Sequence, residues 1–338
     1  VNLRRIRGLS SKDPAAHEGE VVVRSFFLGS IDLMNEAQAY LNGRFVPCAQ
    51  ASIPISDAGF VLGATVSEQL RSFGGKLFRL EAHLGRLAHS LEAVGLDPQI
   101  SPSEIARIAQ QLATHNHRLL QPTDDLNLTM FFTSGPYASM VEPGAATNPT
   151  VCIHTFPLPF RLWADKYVVG QSLVTTSIEQ VSPRSWPRAL KCRSRMHYYL
   201  ADAEAARIDP QARAILLDHE GFVTEATTAN VLIYTAGQGL VGPPHEKVLP
   251  GISLAVLVEL AQRAGIPYSR RELRPEDLAA ADEVLLASTS VSVIPVTRFN
   301  GQAIGRGKPG PVQEMLLTAW SRLVGVDIAA QANRFATR

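Results

Sequence analysis

Lysine is scarce in this 338-residue chain: Lys12, Lys76, Lys166, Lys191, Lys247 and Lys308 stand among 32 lysines and arginines. A lysine set in a mostly apolar stretch is therefore worth questioning. Cysteine is scarcer still. Cys48, Cys152 and Cys192 lie far apart and form no CxxC pair, which argues against a disulfide framework or a cysteine zinc site and suits a reducing, cytoplasmic setting. Neither sign of charge is in excess. A formal net charge of +1 gives no electrostatic reason to expect nucleic acid or an anionic membrane as partner. No apolar run approaches the roughly 18 residues a membrane helix needs. Three catalytic signatures are missing as well. There is no GxxxxGK followed by Ser or Thr, no GxGxxG after a strand and no GxSxG, which argues against a P-loop, a Rossmann dinucleotide site and a nucleophile elbow. His115-Asn116-His117 invites a metal reading, but positions i and i+2 point to different sides of a helix, so no metal site is expected.

What is present is enough for two domains with a substantial core, since 46% of the residues are hydrophobic. Asn42-Gly43 between Ala39-Tyr40-Leu41 and Arg44-Phe45-Val46 reads as a hairpin turn. A strand over 65–73 turns at Gly74-Gly75. Leu84, Leu87, Leu91 and Val94 make one apolar stripe, predicting a helix over 81–94. A second helix is expected from a cap at Ser103 toward Leu119. Strands follow over 126–133 and 150–156, separated by a Gly/Pro/Ala/Ser-rich loop. Beyond Pro157-Leu158-Pro159-Phe160 come strands at 167–176, a helix over 198–207, strands at 214–217 and 229–234, and a helix over 253–264. A short helix over 275–280, a strand over 283–287, a hairpin about Asn300-Gly301 and a last helix over 311–323 complete the pattern. This irregular alternation suggests mixed α/β domains rather than a uniform parallel sheet. The expected organisation is a loosely ordered extension over 1–33, a small α/β domain over 34–156, a linker over 157–163, a larger domain over 164–326 and a tail over 327–338. Within the extension, Val21-Val22-Val23 and Phe26-Phe27-Leu28 would suit a short strand at 20–28, but not a signal peptide, which needs a longer apolar segment behind its basic start.

Four stretches carry the candidate chemistry. Lys191 follows Ala189-Leu190 and precedes a helix; taken alone, it reads more readily as part of a basic surface patch with Arg188, Arg193 and Arg195. Glu225 lies between an apolar strand and a Thr/Ala/Asn turn, where it is either an ordinary turn glutamate or an inward carboxylate meeting a buried positive charge. Leu249-Pro250-Gly251-Ile252-Ser253 is either a plain Ser-capped helix start or a phosphate site. In the second reading a glycine allows close approach, free N–H groups meet the anion and Ser253 adds a hydroxyl. Ser288-Thr289-Ser290 after an apolar strand is a Ser-rich turn or a second wall of the same cup.

In order, a lysine, Thr-Glu-Ala-x-x-Ala-Asn, Leu-Pro-Gly-Ile-Ser and Ser-Thr-Ser-x-x-x-Ile-Pro-Val resemble the class IV (fold type IV) aminotransferase family, over roughly residues 39–323. The family depends on pyridoxal 5′-phosphate and includes branched-chain and D-amino-acid aminotransferases and 4-amino-4-deoxychorismate lyases. The resemblance implies a two-domain α/β fold with the site at the domain interface, a homodimer, and an amino acid and a 2-oxo acid as small-molecule partners. It places the Schiff-base lysine on Lys191, the carboxylate facing the pyridine nitrogen on Glu225 and a phosphate-contacting arginine on Arg86, in His83-Leu84-Gly85-Arg86-Leu87. Phosphate contacts fall on Ile252, Ser253, Thr289 and Ser290, and a ring-packing residue on Leu249. The stretch through Glu68 and Arg71 matches the strand that borders the substrate, which makes Ser67, Arg71 and Arg193 the candidate substrate residues.

The implied reaction is transamination between an amino acid and a 2-oxo acid. The alternative is lyase action on 4-amino-4-deoxychorismate, releasing pyruvate and 4-aminobenzoate, and a third reading is a non-catalytic relative that binds the cofactor. The substrate half departs from the subgroups. Met196-His197 stands where branched-chain enzymes carry a tyrosine. No arginine follows Thr133-Ser134-Gly135, where D-amino-acid enzymes carry a carboxylate trap. Ser67 replaces the aromatic residue before the small-domain glutamate.

Overall fold

A computed structural model describes residues 35–144 and 147–338; the expectations for residues 1–33, including the strand at 20–28, lie outside the described residues. Six strands form the first sheet: β1 (Gln38–Leu41), β2 (Arg44–Pro47), β3 (Val66–Phe73), β4 (Lys76–Leu77), β5 (Leu126–Thr133) and β6 (Thr150–Pro157). Their order is β2-β1-β6-β5-β3-β4, antiparallel throughout. Asn42 and Gly43 turn the first hairpin with φ of 47° and 89°, the left-handed pair that matches strand twist. Period-2 alternation gives β3 two different faces. Val66 and Leu70 join the core formed with α2 (Leu80–Ala93) and α3 (Pro102–His117), which follow the four-residue α1 (Ala58–Val61). Ser67, Gln69 and Arg71 lie on the other face.

The second sheet contains β7 (Gln171–Thr175), β8 (Ala212–Leu217), β9 (Val223–Ala226), β10 (Ala229–Thr235), β11 (Gly239–Gly242), β12 (Tyr268–Arg270), β13 (Glu283–Ser288), β14 (Ser292–Phe299) and β15 (Gln302–Ala303). The path runs β12-β11-β10-β13-β14-β7-β8-β9 with β15 on β14. Because β9 also pairs with β10, six strands close on themselves. Six helices accompany this sheet: α4 (Lys166–Val169), α5 (Met196–Ile208), α6 (Ile252–Arg263), α7 (Pro275–Ala279), α8 (Pro311–Val324) and α9 (Ile328–Arg334). Leu254, Leu257, Leu316 and Trp320 of α6 and α8 bury against Leu285 and Ile294 in the larger core, while Ala201 and Ala205 of α5 pack against β7 and β8 in a smaller one.

Several elements differ from expectation. Ser101, not Ser103, caps α3 by accepting from Glu104 N at 3.2 Å, since Pro102 suits the first helical position. Residues 167–169 are helical, and the strand begins only at Gln171, after Gly170 turns the chain with a φ of 77°. The short β11 and β12 carried too little pattern to be read. Residues 327–338, expected as a tail without elements, contain α9, whose Ile328 and Ala332 enter the core.

This last helix also closes a polar network. Arg71 Nη2 donates to Gln331 Oε1 at 2.9 Å, and Gln331 Nε2 donates to Asp125 Oδ2 and Thr123 O, each at 2.8 Å. Asp125 Oδ1 in turn accepts from Ser72 Oγ and Gly75 N. All are buried, so Gln331→Ala strands a guanidinium and a carboxylate together. It should cost about 1–3 kcal/mol, read as a lowered urea midpoint with an unchanged slope.

Candidate active site

The segment holding Lys191 is moored to the edge of the first sheet. Ser67 N donates to Lys191 O at 2.9 Å and Arg193 N to Thr65 O at 2.8 Å, a short antiparallel pairing centred on Val66 and Cys192. Lys191 N reaches Ser90 Oγ of α2, and Ser194 Oγ donates to Gly63 O at 2.7 Å. The backbone is therefore fixed on both sides of the lysine while its side chain enters a cavity of about 210 Å³. Desolvation there brings the Lys191 ammonium down to about 7 from an ordinary 10.5; Glu68 opposes this, and Arg195, Arg86 and Arg193 reinforce it.

Two buried carboxylates flank the site, with opposite shifts. Glu68 accepts from Arg86 Nε at 2.9 Å and Arg86 Nη2 at 2.7 Å, and meets His83 Nδ1 at 3.0 Å. Burial alone would raise it, but the Arg86 charge and these hydrogen bonds hold it well below the usual carboxylate range. Glu225, on β9, has no bonded cation. Its Oε1 accepts from Tyr198 Oη at 2.7 Å and Gln180 Nε2 at 2.8 Å, and its Oε2 from Leu249 N at 3.3 Å. Burial pushes it up, only partly offset by these donors.

A third wall comes from the start of α6 and the turn after β13. Ile252 and Ser253 open a twelve-residue helix whose first N–H groups are free to meet an anion. Gly251 is required before it, since a Cβ there would lie 2.0 Å from Asn230 Oδ1. Ser288, Thr289 and Ser290 face the same cavity, with the Ser290 carbonyl held by Arg71 Nη1 at 2.8 Å.

All eight residues expected to hold the cofactor (Lys191, Arg86, Glu225, Leu249, Ile252, Ser253, Thr289 and Ser290) line this one cavity. The three expected at the substrate do not. Ser67 is buried in the sheet, and Arg71 is committed to Ser290, Gln331 and the Phe73 ring, 4.1 Å from its guanidinium. Arg193 is exposed and outside the cavity. Their places are taken by Gln180, Trp186, Arg188, Arg195, His197 and Tyr198. Of these, Tyr198 carried a readable signal, lying two residues past the gap left by the family's tyrosine; Gln180 carried none. No group of three metal-ligating side chains exists among the described residues. His115 and His117 instead contact the carbonyls of Glu36 and Asp124.

The fold and this cavity are those of a class IV aminotransferase. The family model for amino-transferase class IV matches residues 65–299, and the chain belongs to that family. Among its relatives, D-alanine aminotransferase from Bacillus licheniformis is 30% identical over 82% of this chain and 94% of its own. D-alanine aminotransferase from Staphylococcus aureus is 25% identical over 84% and 97%. The solved branched-chain amino acid aminotransferase of Escherichia coli superposes with a TM-score of 0.78 at 25% identity, covering 86% of this chain and 95% of the other.

The electrostatics make a pH prediction. Only the neutral amine attacks a carbonyl, so capture of added pyridoxal phosphate by Lys191, followed by absorbance, should rise through a midpoint of about pH 7 and fail at lower pH. Glu68 stabilises the ammonium; Glu68→Gln should therefore move the midpoint to lower pH, whereas an unmoved midpoint contradicts the assignment.

Proposed function

We propose that this aminotransferase works with pyridoxal phosphate in the cavity around Lys191, exchanging an amino group between an amino acid and a 2-oxo acid. The carrying observation is the convergence on one cavity of an amine brought to about 7, a buried carboxylate without a bonded cation and a helix start. These features fit the cofactor. Its pyridinium would supply the missing cation opposite Glu225 Oε2, its aldehyde would meet Lys191, and its phosphate would meet the N–H groups of Ile252 and Ser253 and the hydroxyls of Ser253, Thr289 and Ser290. When bound, the cofactor supplies an electron-withdrawing ring that takes up the electrons left when the substrate Cα proton departs.

The chain's residues do the rest. Lys191 is neutral at working pH and can remove that proton and return it to the adjacent carbon, because its amine, freed by the incoming amino group, stays on the same cavity wall. Glu225 keeps a proton at the ring nitrogen, since desolvation makes an uncompensated carboxylate costly there. Tyr198 and Gln180 both bind Oε1, which leaves Oε2 directed by a single longer contact from Leu249 N. Arg86, fixed by Glu68 and by Pro250 O at 2.9 Å, retains N–H groups for the phosphate. The rigid cup holds the cofactor while its link to Lys191 is broken and remade.

Transamination is favoured over lyase action because these relatives are aminotransferases. We also propose a division into domains at 157–163, a cytoplasmic setting and a homodimer. The setting is supported by three free cysteines and by the lack, among the described residues, of any helix long and apolar enough to cross a membrane. The homodimer is supported by Ile55, Phe60, Leu62 and Met140, which are 82%, 75%, 59% and 56% exposed on a loop region tied together by the Asp57–Pro136 bridge.

Amino donors offered with 2-oxo acids should yield the amino product of the acceptor, and Lys191→Ala should abolish it while retaining the fold. Pyruvate released from aminodeoxychorismate without an acceptor would instead establish the lyase. Tyr198→Phe removes one of two donors to Glu225 Oε1 and should weaken cofactor retention by about tenfold, measured by equilibrium dialysis.

A further inference from the structure

The cofactor and the catalytic lysine do not use all the charge in the cavity. Glu225 is the one carboxylate lining it, against Lys191, Arg86, Arg188 and Arg195. Arg86 is neutralised by Glu68. The phosphate has its own cup in α6 and the β13–β14 turn. Arg188 and Arg195 come from another wall, the segment on either side of Lys191. Arg188 makes no hydrogen bond or ion pair among the described residues. Arg195 spends only its Nε, on Cys192 O at 3.3 Å, leaving its forked Nη groups open. Both are partly buried, where an unmatched guanidinium is unfavourable without an anion.

The side chains between them add no negative charge. His197 also lines the cavity, edge-on to Trp186 at 6.4 Å and 4.2 Å from the Tyr198 ring. Desolvation, with Arg188 and Arg195 close by, brings it down to about 4. It is therefore a neutral ring at working pH and cannot balance either arginine. Two open guanidinium forks and no local carboxylate make a subsite for two carboxylates, the geometry guanidinium groups bind bidentately.

We propose that Arg188 and Arg195 form the substrate-carboxylate subsite and select an amino acid and 2-oxo acid that carry a second carboxylate. This rests on the transaminase reading. It assigns the anchoring role to residues beside the lysine, in place of Arg71, which is committed to the loop at Ser290, and of Arg193, which lies outside the cavity. One arginine would take the carboxylate next to the reacting carbon and the other the side-chain carboxylate, with Trp186 and His197 covering the methylenes between.

The test uses the cofactor-loaded protein and two unreactive acids of equal chain length, glutarate and pentanoate, titrated by calorimetry. Glutarate should bind about tenfold more tightly than pentanoate, the scale of one charge-assisted contact. Arg188→Ala and Arg195→Ala should each collapse that preference, and Arg188→Lys and Arg195→Lys should restore part of it, because the charge is kept while the fork is lost. In turnover, the alanine variants should raise KM for glutamate while largely sparing kcat, as loss of uniform binding requires. Pentanoate binding as tightly as glutarate, neither acid binding, or a preference that survives both alanine substitutions overturns the proposal. The two readings fail separately. Amino transfer without the glutarate preference removes the subsite and leaves the transaminase. A preference lost in the variants, without amino transfer from any donor, removes the transaminase and leaves the subsite.

Discussion

Keeping a lysine amine out of water is the constraint on which the rest of this structure depends. An exposed lysine is an inert cation at neutral pH; the same group in a cavity gives up its proton near 7. That desolvation requires the backbone on both sides of Lys191 to be immobile, and the hydrogen bonds from Ser67 N and to Thr65 O supply this by treating residues 191–193 as a short additional strand on β3. The partner strand belongs to the first sheet, while the walls that enclose the amine belong mostly to the second. The catalytic group therefore exists as such only where the two sheets meet.

The two carboxylates show how the fold assigns different tasks to the same functional group. Glu68 and Glu225 are both buried, and burial acts on both in the same direction. Glu68 is bonded to a guanidinium and stays ionised whatever occupies the cavity, so it can hold Arg86 in place and moderate Lys191. Glu225 is given only neutral donors, Tyr198, Gln180 and a peptide N–H. It lacks a permanent cation, which leaves its charge balance to be completed by what binds. A change of partner, rather than of residue type or depth, separates a structural ion pair from a binding group.

Much of this was legible in the sequence, and the unread part has physical causes. Long periodic stretches such as 81–94 and 126–133 declared their elements because one burial pattern ran through them. The cofactor residues were legible as short ordered motifs, since backbone geometry at Gly251 and hydroxyls at 288–290 tolerate few alternatives. Substrate residues were not legible. Arg71, Arg188, Arg193 and Arg195 are the same letter in similar basic surroundings, and only the fold shows that Arg71 ends on the Ser290 carbonyl and Gln331 while Arg188 and Arg195 end in the cavity. Gln180 meets Glu225 across 45 residues of chain, a contact no local pattern encodes. Closure of the second sheet through β9 and β10 is likewise set by long-range pairing, and the polar α9 displays its role only through Gln331.

The central claim is that Lys191 is the residue on which the cofactor is carried. Borohydride reduction of the protein loaded with pyridoxal phosphate, followed by proteolysis and mass mapping, tests it directly. The account predicts a single phosphopyridoxyl group on Lys191. A group fixed on any of Lys76, Lys166, Lys247 or Lys308 with Lys191 unmodified, or no group fixed at all, would contradict it.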